Sequence, residues 1–234
     1  MRNMRLFLMV WGMLLFGAVV RAQGASGVND HELNGSYAFS FSGIRGNASV
    51  SSVFAAVGRF TADGAGNLTN GEIDTNGVGV GTALAAQSFT GAYSIGADHR
   101  GVMTFTGPGG SLKFAFAMLA NGNAHLIEFD ATGGTGTIGS GTIEKADTTA
   151  YSTARITGDY AFGAAGFDNA HNRAAIEGRF TSNGTGTLSN AAGDVNAYGT
   201  DYPMTFSAAD YTVRGVQYWL NSRRACTNDN GRVV

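Results

Sequence analysis

A long internal repeat is the feature that most constrains how this chain folds. Residues 33–39 (LNGSYAF) recur as residues 156–162 (ITGDYAF), and residues 58–70 (GRFTADGAGNLTN) recur as residues 178–190 (GRFTSNGTGTLSN). The matched segments keep their order and nearly keep their spacing, which indicates a duplication. The period is far longer than the roughly 20–50 residues of a solenoid unit, so each copy is expected to be a domain.

Large and small side chains alternate along short segments of the first copy. Residues 36–44 place Tyr37, Phe39 and Phe41 on one face, and residues 112–119 repeat the pattern with other apolar side chains. A period of two is the signal of a half-buried strand. This interpretation predicts eight strands, at residues 36–44, 53–62, 67–74, 88–95, 101–106, 112–119, 124–130 and 137–145.

The connections between these segments predict how the strands are joined. The chain has 36 glycines and only 2 prolines, and residues 63–66, 107–110 and 121–122 are rich in turn-forming types. Short turns predict an all-β, antiparallel up-and-down meander. Eight such strands can close into a small barrel whose interior is filled by side chains. A β-sandwich stays open as the alternative architecture.

The first residues predict export. Arg2 and Arg5 precede an apolar run over residues 6–20, and small residues at Val20 and Ala22 fit a cleavage site after Ala22. The apolar run is shorter than the roughly 20 residues that a membrane-spanning helix needs. The expected location is therefore secreted, or in the periplasm or cell envelope, after the signal peptide is cleaved near Ala22.

The second copy departs from the first near its end. The match stops at Val213, and the following residues resemble no strand of the first copy. We therefore expect a truncated second copy with open strand edges. The expected boundaries are a signal peptide over 1–22, a linker over 23–31, a first β-repeat domain over 32–147, a linker over 148–155, a partial second repeat over 156–213 and an atypical tail over 214–234.

Charge and cysteine usage exclude several classes of function. With 15 basic and 17 acidic residues, the chain lacks the positive surface that nucleic-acid binding requires. The single cysteine, Cys226, excludes a disulfide scaffold. The four histidines are scattered, so no zinc-ligand spacing exists.

Asp63 begins a glycine-rich turn. Its matched residue in the second copy is Asn183, which favours a hairpin over a calcium site. No catalytic, cofactor-binding or metal-binding residues are predicted, and no cofactor.

Arg59, Glu72 and Arg179 are the candidate ligand-binding or barrel-mouth residues. Because GRFT occurs in both copies, Arg59 and Arg179 are matched positions. Two interpretations stay open for them. One is a structural ion pair with a carboxylate that closes an end of the barrel, and the other is a site for an anionic ligand.

One later segment carries a mixture of polar and apolar side chains. His125 alternates with Ile127 and Phe129, which predicts a buried imidazole on the face of these two side chains. Glu128 and Asp130, like Glu72 and Asp74, form a carboxylate pair on one strand face, and both pairs are expected to be solvated rim charges.

The quoted repeat segments, together with residues 89–95 (FTGAYSI), resemble uncharacterised, signal-peptide-bearing β-repeat proteins of environmental Gram-negative bacteria. The likeness covers residues 32–213 and implies residence in the envelope or outside the cell. It carries no activity, catalytic residue or cofactor to transfer. A looser similarity to the calycin-like barrels is topological only, and topology does not license function.

These observations predict an exported, non-catalytic β-repeat module whose role is in its surface, in binding or in structure. The chain is not expected to be an enzyme. The alternatives are a calycin-like carrier of a small apolar ligand and an outer-membrane barrel. The specific partner is unknown. The candidates are a cell-envelope component, another copy of the chain through open strand edges, and a small apolar ligand.

Overall fold

The structure is a computed structural model that describes residues 27–47, 50–77, 84–108, 110–130, 136–167, 172–197, 199–206, 209–214 and 217–221. The predicted signal peptide, His171 and Cys226 lie outside these residues.

The strands are β1 Asn34–Asn47, β2 Val50–Asp63, β3 Asn67–Gly77, β4 Leu84–Ile95, β5 Arg100–Gly107, β6 Gly110–Met118, β7 Ala124–Glu128, β8 Gly136–Lys145, β9 Thr157–Phe167, β10 Arg173–Asn183, β11 Thr187–Ala197, β12 Thr200–Phe206, β13 Ala209–Arg214 and β14 Gln217–Asn221.

The first eight strands form a closed antiparallel barrel in which each strand pairs with its neighbours in chain order. The barrel closes between β1 and β8, which pair from Tyr37 opposite Lys145 to Gly46 opposite Gly136. The predicted all-β meander is therefore confirmed. The barrel, and not the sandwich, is the architecture of the first domain.

The interior of the barrel holds the large side chains that the alternation predicted. Tyr37, Phe39 and Phe41 of β1 are buried, and so are Phe114 and Phe116 of β6. The residues between them on each strand face outward and are small or polar. Because large apolar side chains, many of them aromatic, line the inner face of the barrel, closing the barrel removes most of their apolar surface from water.

A short segment before β1 covers one end of the barrel. Residues Asp30–Glu32 form a single 3-10 turn, and Leu33 behind it is completely buried. The turn is tied to β4, because the carboxylate of Asp30 accepts a hydrogen bond from the Ile95 amide at 2.7 Å. The Asn29 amide donates to the Ile95 carbonyl at 3.2 Å.

Strands β9 to β14 form a second sheet with the path β14–β13–β11–β10–β9, in which β12 also pairs with β11. The pairing of β10 with β11 places Arg179 opposite Ala192 and Thr181 opposite Ser189. Between β2 and β3 the matched pairs are Arg59 with Glu72 and Thr61 with Thr69, with an irregularity at the same place. Matched segments of the two copies thus have the same register.

The sheet continues beyond the last residue that matches the first copy. Strand β14, Gln217–Asn221, pairs antiparallel with β13, so the sheet extends past Val213 into the segment expected to be an atypical tail. Two 3-10 turns, Thr148–Ala150 and Thr153–Arg155, lie between the barrel and the sheet. No helix within the described ranges has the length and apolar character needed to cross a membrane.

Candidate interaction surfaces

Arg59 and Glu72 form an ion pair on the outer wall of the barrel. They lie opposite each other on β2 and β3, and the Arg59 Nη2 donates to the Glu72 Oε2 at 3.0 Å. Phe60, the next residue on β2, is buried in the interior. Because successive side chains of a strand point to opposite faces, the Arg59 side chain lies outside the barrel.

The chain that follows β8 lies near this ion pair. Burial raises the pKa of the Tyr151 phenol, and the positive charge of Arg59 offsets part of that rise. The Nε of Arg59 is buried and makes no hydrogen bond within the described part of the chain. The pair is thus a partly covered contact between two strands, and its arginine lies close enough for its charge to act on Tyr151 of the inter-domain segment.

Arg179, the matched arginine of the second copy, is not brought to this pair. It lies on β10, where the opposite residue is Ala192 in place of a glutamate, and its side chain is exposed. Of the three predicted residues, the structure brings Arg59 and Glu72 together and leaves Arg179 in the other sheet.

The Asp63 carboxylate is used by its own turn. Its Oδ1 accepts from the Ala65 and Asn67 amides at 2.7 and 2.9 Å, and the Asn67 side chain donates to Oδ2 at 2.6 Å. These bonds lower the pKa of Asp63. In the second copy the Asn183 amide oxygen accepts the two matched backbone bonds at 2.8 and 3.1 Å. Within the described residues, no group of three or more His, Cys, Asp or Glu side chains could hold a metal ion.

Aromatic rings meet across the full width of the barrel. Strands β1 and β5 are four strands apart in either direction, so they form opposite walls. The ring centroids of Phe39 on β1 and Phe105 on β5 are nevertheless only 5.2 Å apart. Phe105 also lies 4.3 Å from Phe89 and 5.1 Å from Phe114. The middle of the barrel is therefore occupied by side chains.

The orientation of β7 corrects two expectations from the sequence. Ala124 and Leu126 are the buried residues of this strand, while His125 and Ile127 are exposed. The prediction of a buried His125 is therefore wrong, although it does share a face with Ile127. Glu128, predicted to be solvated, has both carboxylate oxygens buried instead. The alternation was recognised correctly, and the wrong face was assigned to the interior.

This orientation leaves apolar side chains on the outside of the barrel. Ile44, Ile127, Phe129 and Ile138 are between 39% and 78% exposed, and we call them the outer apolar patch. Ile44 and Ile138 are directly paired between β1 and β8. The Lys113 ammonium lies 5.9 Å from the Phe129 ring centroid. Sequence reasoning missed this patch because it assigned Ile127 and Phe129 to the core.

The second sheet carries an open groove of about 520 Å³. Small residues of β9 and β10 form one side, and Glu177, Asp194 and Asp201 contribute carboxylates. Glu177 and Asp194 lie directly opposite each other on β10 and β11. The Asn196 side chain donates to Asp201 at 2.6 Å. The groove is thus an open, solvent-facing depression that combines small apolar side chains with three carboxylates.

Comparisons of the chain with protein-family models, with curated proteins and with solved structures find no match. The resemblance to signal-bearing β-repeat proteins therefore stays a prediction that depends on the quoted segments.

Proposed function

We propose that this chain is an exported, non-catalytic β-repeat module that acts through its outer surface and its strand edges. The single observation that carries the proposal is the contact between Phe39 and Phe105 across the barrel. A carrier of this size has to leave its middle open for the ligand. Here the same volume is occupied by packed rings.

The distribution of side chains on the wall supports a surface role in water. The aromatic rings carried by the barrel strands point inward, and the outward positions include Ser40 and Thr142, whose hydroxyl oxygens are 3.2 Å apart. An outer-membrane barrel has the reverse arrangement, with an apolar exterior and a polar lumen. The outer apolar patch is small against this background and is the kind of feature that a protein partner covers.

The polar candidates support a structural role better than a chemical one. Arg59 and Glu72 are engaged with each other across two strands. The carboxylate of Asp63 is engaged with the amides of its own turn. A general acid or base requires a reachable, suitably perturbed group in a cleft. Neither of these arrangements offers one.

An apolar fluorescent probe tests the proposal on the purified, exported chain. We expect no saturable binding by the native protein. Phe105→Ala removes the ring at the centre of the barrel and should open a cavity that binds the probe, which makes it the positive control. Mass spectrometry of the same preparation should show that the chain begins at Gln23.

Two results would contradict the proposal. Saturable binding of one probe molecule per native chain would favour the carrier. Turnover of any substrate in a broad hydrolase screen, abolished by Glu72→Gln, would show an enzyme.

A further inference from the structure

The free edge of β9 differs from the edge of its counterpart in the barrel. In the barrel, β1 pairs with β2 on one side and with β8 on the other. Strand β9 pairs with β10 in the matched register. Within the residues that the structure describes, β10 is its only partner. One row of β9 backbone groups therefore lacks the neighbour that β1 has.

The inner face beside this edge is less covered than its counterpart. The Tyr160 and Phe180 rings stack at 5.4 Å with an interplanar angle of 18°, as Tyr37 and Phe60 do at 5.5 Å and 22°. Tyr37 and Phe60 are each 1% exposed, whereas Tyr160 and Phe180 are only partly buried. Among the described strands, the same local packing thus lacks the cover that strands β6 to β8 provide in the barrel.

The edge carries none of the usual protection against strand pairing. Natural edge strands are blocked by lysine, proline, inward-pointing charges or bulges. Residues 160–167 (YAFGAAGF) contain no charged residue and no proline, and their pairing with β10 continues without a register shift. Asp159 is the one charged residue of β9. The edge is therefore suited to accept another strand.

We propose that a second copy of this chain binds this edge, with the two β9 strands antiparallel about a twofold axis. The inference deepens the proposed function, because it names the partner of one surface. Isologous contacts of this kind are the commonest in symmetric oligomers. They would continue the sheet from one copy into the other, with main-chain hydrogen bonds across the axis.

The charges and side-chain periods of β9 favour a copy of itself. With the axis near Phe162 and Gly163, Asp159 lies opposite an uncharged residue of the partner, so no like charges meet. If each even-numbered residue of β9 pairs with an even-numbered residue of the partner, Tyr160 and Phe162 of both copies lie on the same face of the joined sheet. The barrels cannot take this role, because closure between β1 and β8 uses both of their edges.

The direction of the β9 amides identifies a variant that affects the edge alone. In the barrel, the Ser36 carbonyl accepts from the Ala146 amide at 2.9 Å, on the β8 side of β1. Ser36, Ala38 and every second residue after them therefore point their N–H and C=O groups toward β8. The matched position of Ala38 is Ala161, whose N–H faces the free edge. Proline is tolerated at such an edge position, where it removes a donor without disturbing β10.

Sedimentation velocity of the full chain over a range of concentrations tests the proposal. We expect a concentration-dependent dimer in the native protein. Ala161→Pro should raise its dissociation constant about tenfold or more, because each copy loses one edge donor. Ala161→Ser, which keeps the N–H, should leave dimerisation unchanged. A native chain that stays monomeric, or an Ala161→Pro variant that dimerises equally well, would overturn the proposal.

A distance measurement covers the case in which the proline variant does not fold. A spin label is placed at Ala165→Cys in a Cys226→Ser background. The backbone positions of the two labels should lie between about 14 and about 20 Å apart, from 3.4 Å per residue and a twofold axis at Gly163 or at Phe162. A dimer whose labels lie outside this range contradicts the inference. So does a dimer in which β9 pairs with a strand other than the partner's β9. A monomer that is exported and excludes the apolar probe overturns the inference and leaves the proposed function standing.

Discussion

A single tyrosine hydroxyl ties the covering turn to the barrel, and the second sheet uses a matched one. The Tyr93 hydroxyl lies 2.7 Å from the Leu33 carbonyl and 3.0 Å from the Asp30 carbonyl. The Tyr211 hydroxyl lies 2.7 Å from the Ile156 carbonyl. Both bonds join the strand that carries the tyrosine to the 3-10 turn preceding the first strand of its copy. The repeat therefore preserves a tertiary contact as well as a strand pattern.

Replacing Tyr93 tests the contribution of this contact. Tyr93→Phe should lower the free energy of unfolding of the barrel by about 1–2 kcal/mol, because buried carbonyls lose their donor. Native-state amide hydrogen exchange of barrel residues measures the change. Tyr160→Phe is the control, since its exposed hydroxyl makes a long hydrogen bond of 3.5 Å to the Thr157 carbonyl. Equal protection in native protein and Tyr93→Phe would show that the bond adds nothing.

The buried tyrosines also predict an alkaline limit to stability. Burial raises the pKa of Tyr37 and of Tyr93 above 10. As the pH rises past 10, the unfolded chain releases these protons first, so the unfolded state binds fewer protons and stability falls. Stability at pH 8 and pH 11 should therefore differ more in the native protein than in Tyr93→Phe. The same alkaline loss in both proteins would contradict this assignment.

The turn at Asp63 gives a prediction about side-chain chemistry. Asp63→Asn should keep the fold, because Asn183 already makes the two matched backbone bonds in the second copy. Asp63→Ala should lower the urea midpoint, because the amides of Ala65 and Asn67 lose their acceptor. Adding calcium should change neither midpoint. Calcium-dependent stabilisation of the native protein, absent from Asp63→Asn, would restore the cation-site interpretation.

At the scale of the strand, glycines lie beneath aromatic rings. Gly58 is directly opposite Phe39 between β1 and β2, and a Cβ at Gly58 would lie 2.6 Å from the Phe39 ring. Gly101 and Phe116 repeat the arrangement between β5 and β6. In such pairs the ring covers the backbone that the glycine leaves bare. The small residue is therefore required by the ring across from it.

Alanine substitution separates these glycines from those that face open space. Gly58→Ala should destabilise the barrel by about 1–3 kcal/mol, since the new methyl group overlaps the Phe39 ring and the Glu72 carbonyl. Gly166→Ala in β9 meets nothing within 4 Å, and its stability should be unchanged or slightly raised. Thermal unfolding followed by circular dichroism measures both. Similar costs for the two variants would mean that ring packing is not the cause.

Strand positions were predictable from the sequence, and the roles of single residues within them were less so. A period of two locates a strand such as β6 without reference to its neighbours. It does not say which face is buried when both carry apolar residues, as in β7, where His125 was assigned inward. The sequence assigns no role to the strand glycines Gly58 and Gly101, because a ring on the partner strand is invisible until the register is known. Arg59 and Glu72 were recognised as candidates, but their pairing also depends on register.

At the scale of the whole molecule, one pattern gives two different outcomes. In the first copy, eight strands close and bury Tyr37 and Phe60 completely. In the second, the matched Tyr160 and Phe180 stay partly exposed beside an open edge. Closure, and not the local sequence, therefore determines how completely the matched rings are buried. The barrel has a filled interior, and the described second sheet has an open edge at β9.

The most direct test is a nuclear Overhauser spectrum of the isotope-labelled full chain. The closed barrel predicts Hα contacts between Phe41 and Gly141, which are paired where β1 meets β8. It also predicts contacts between the rings of Phe39 and Phe105 across the interior. A spectrum without β1–β8 contacts would show an open sheet or a sandwich. Ring protons that contact water or an added apolar probe would show an empty interior and contradict the account.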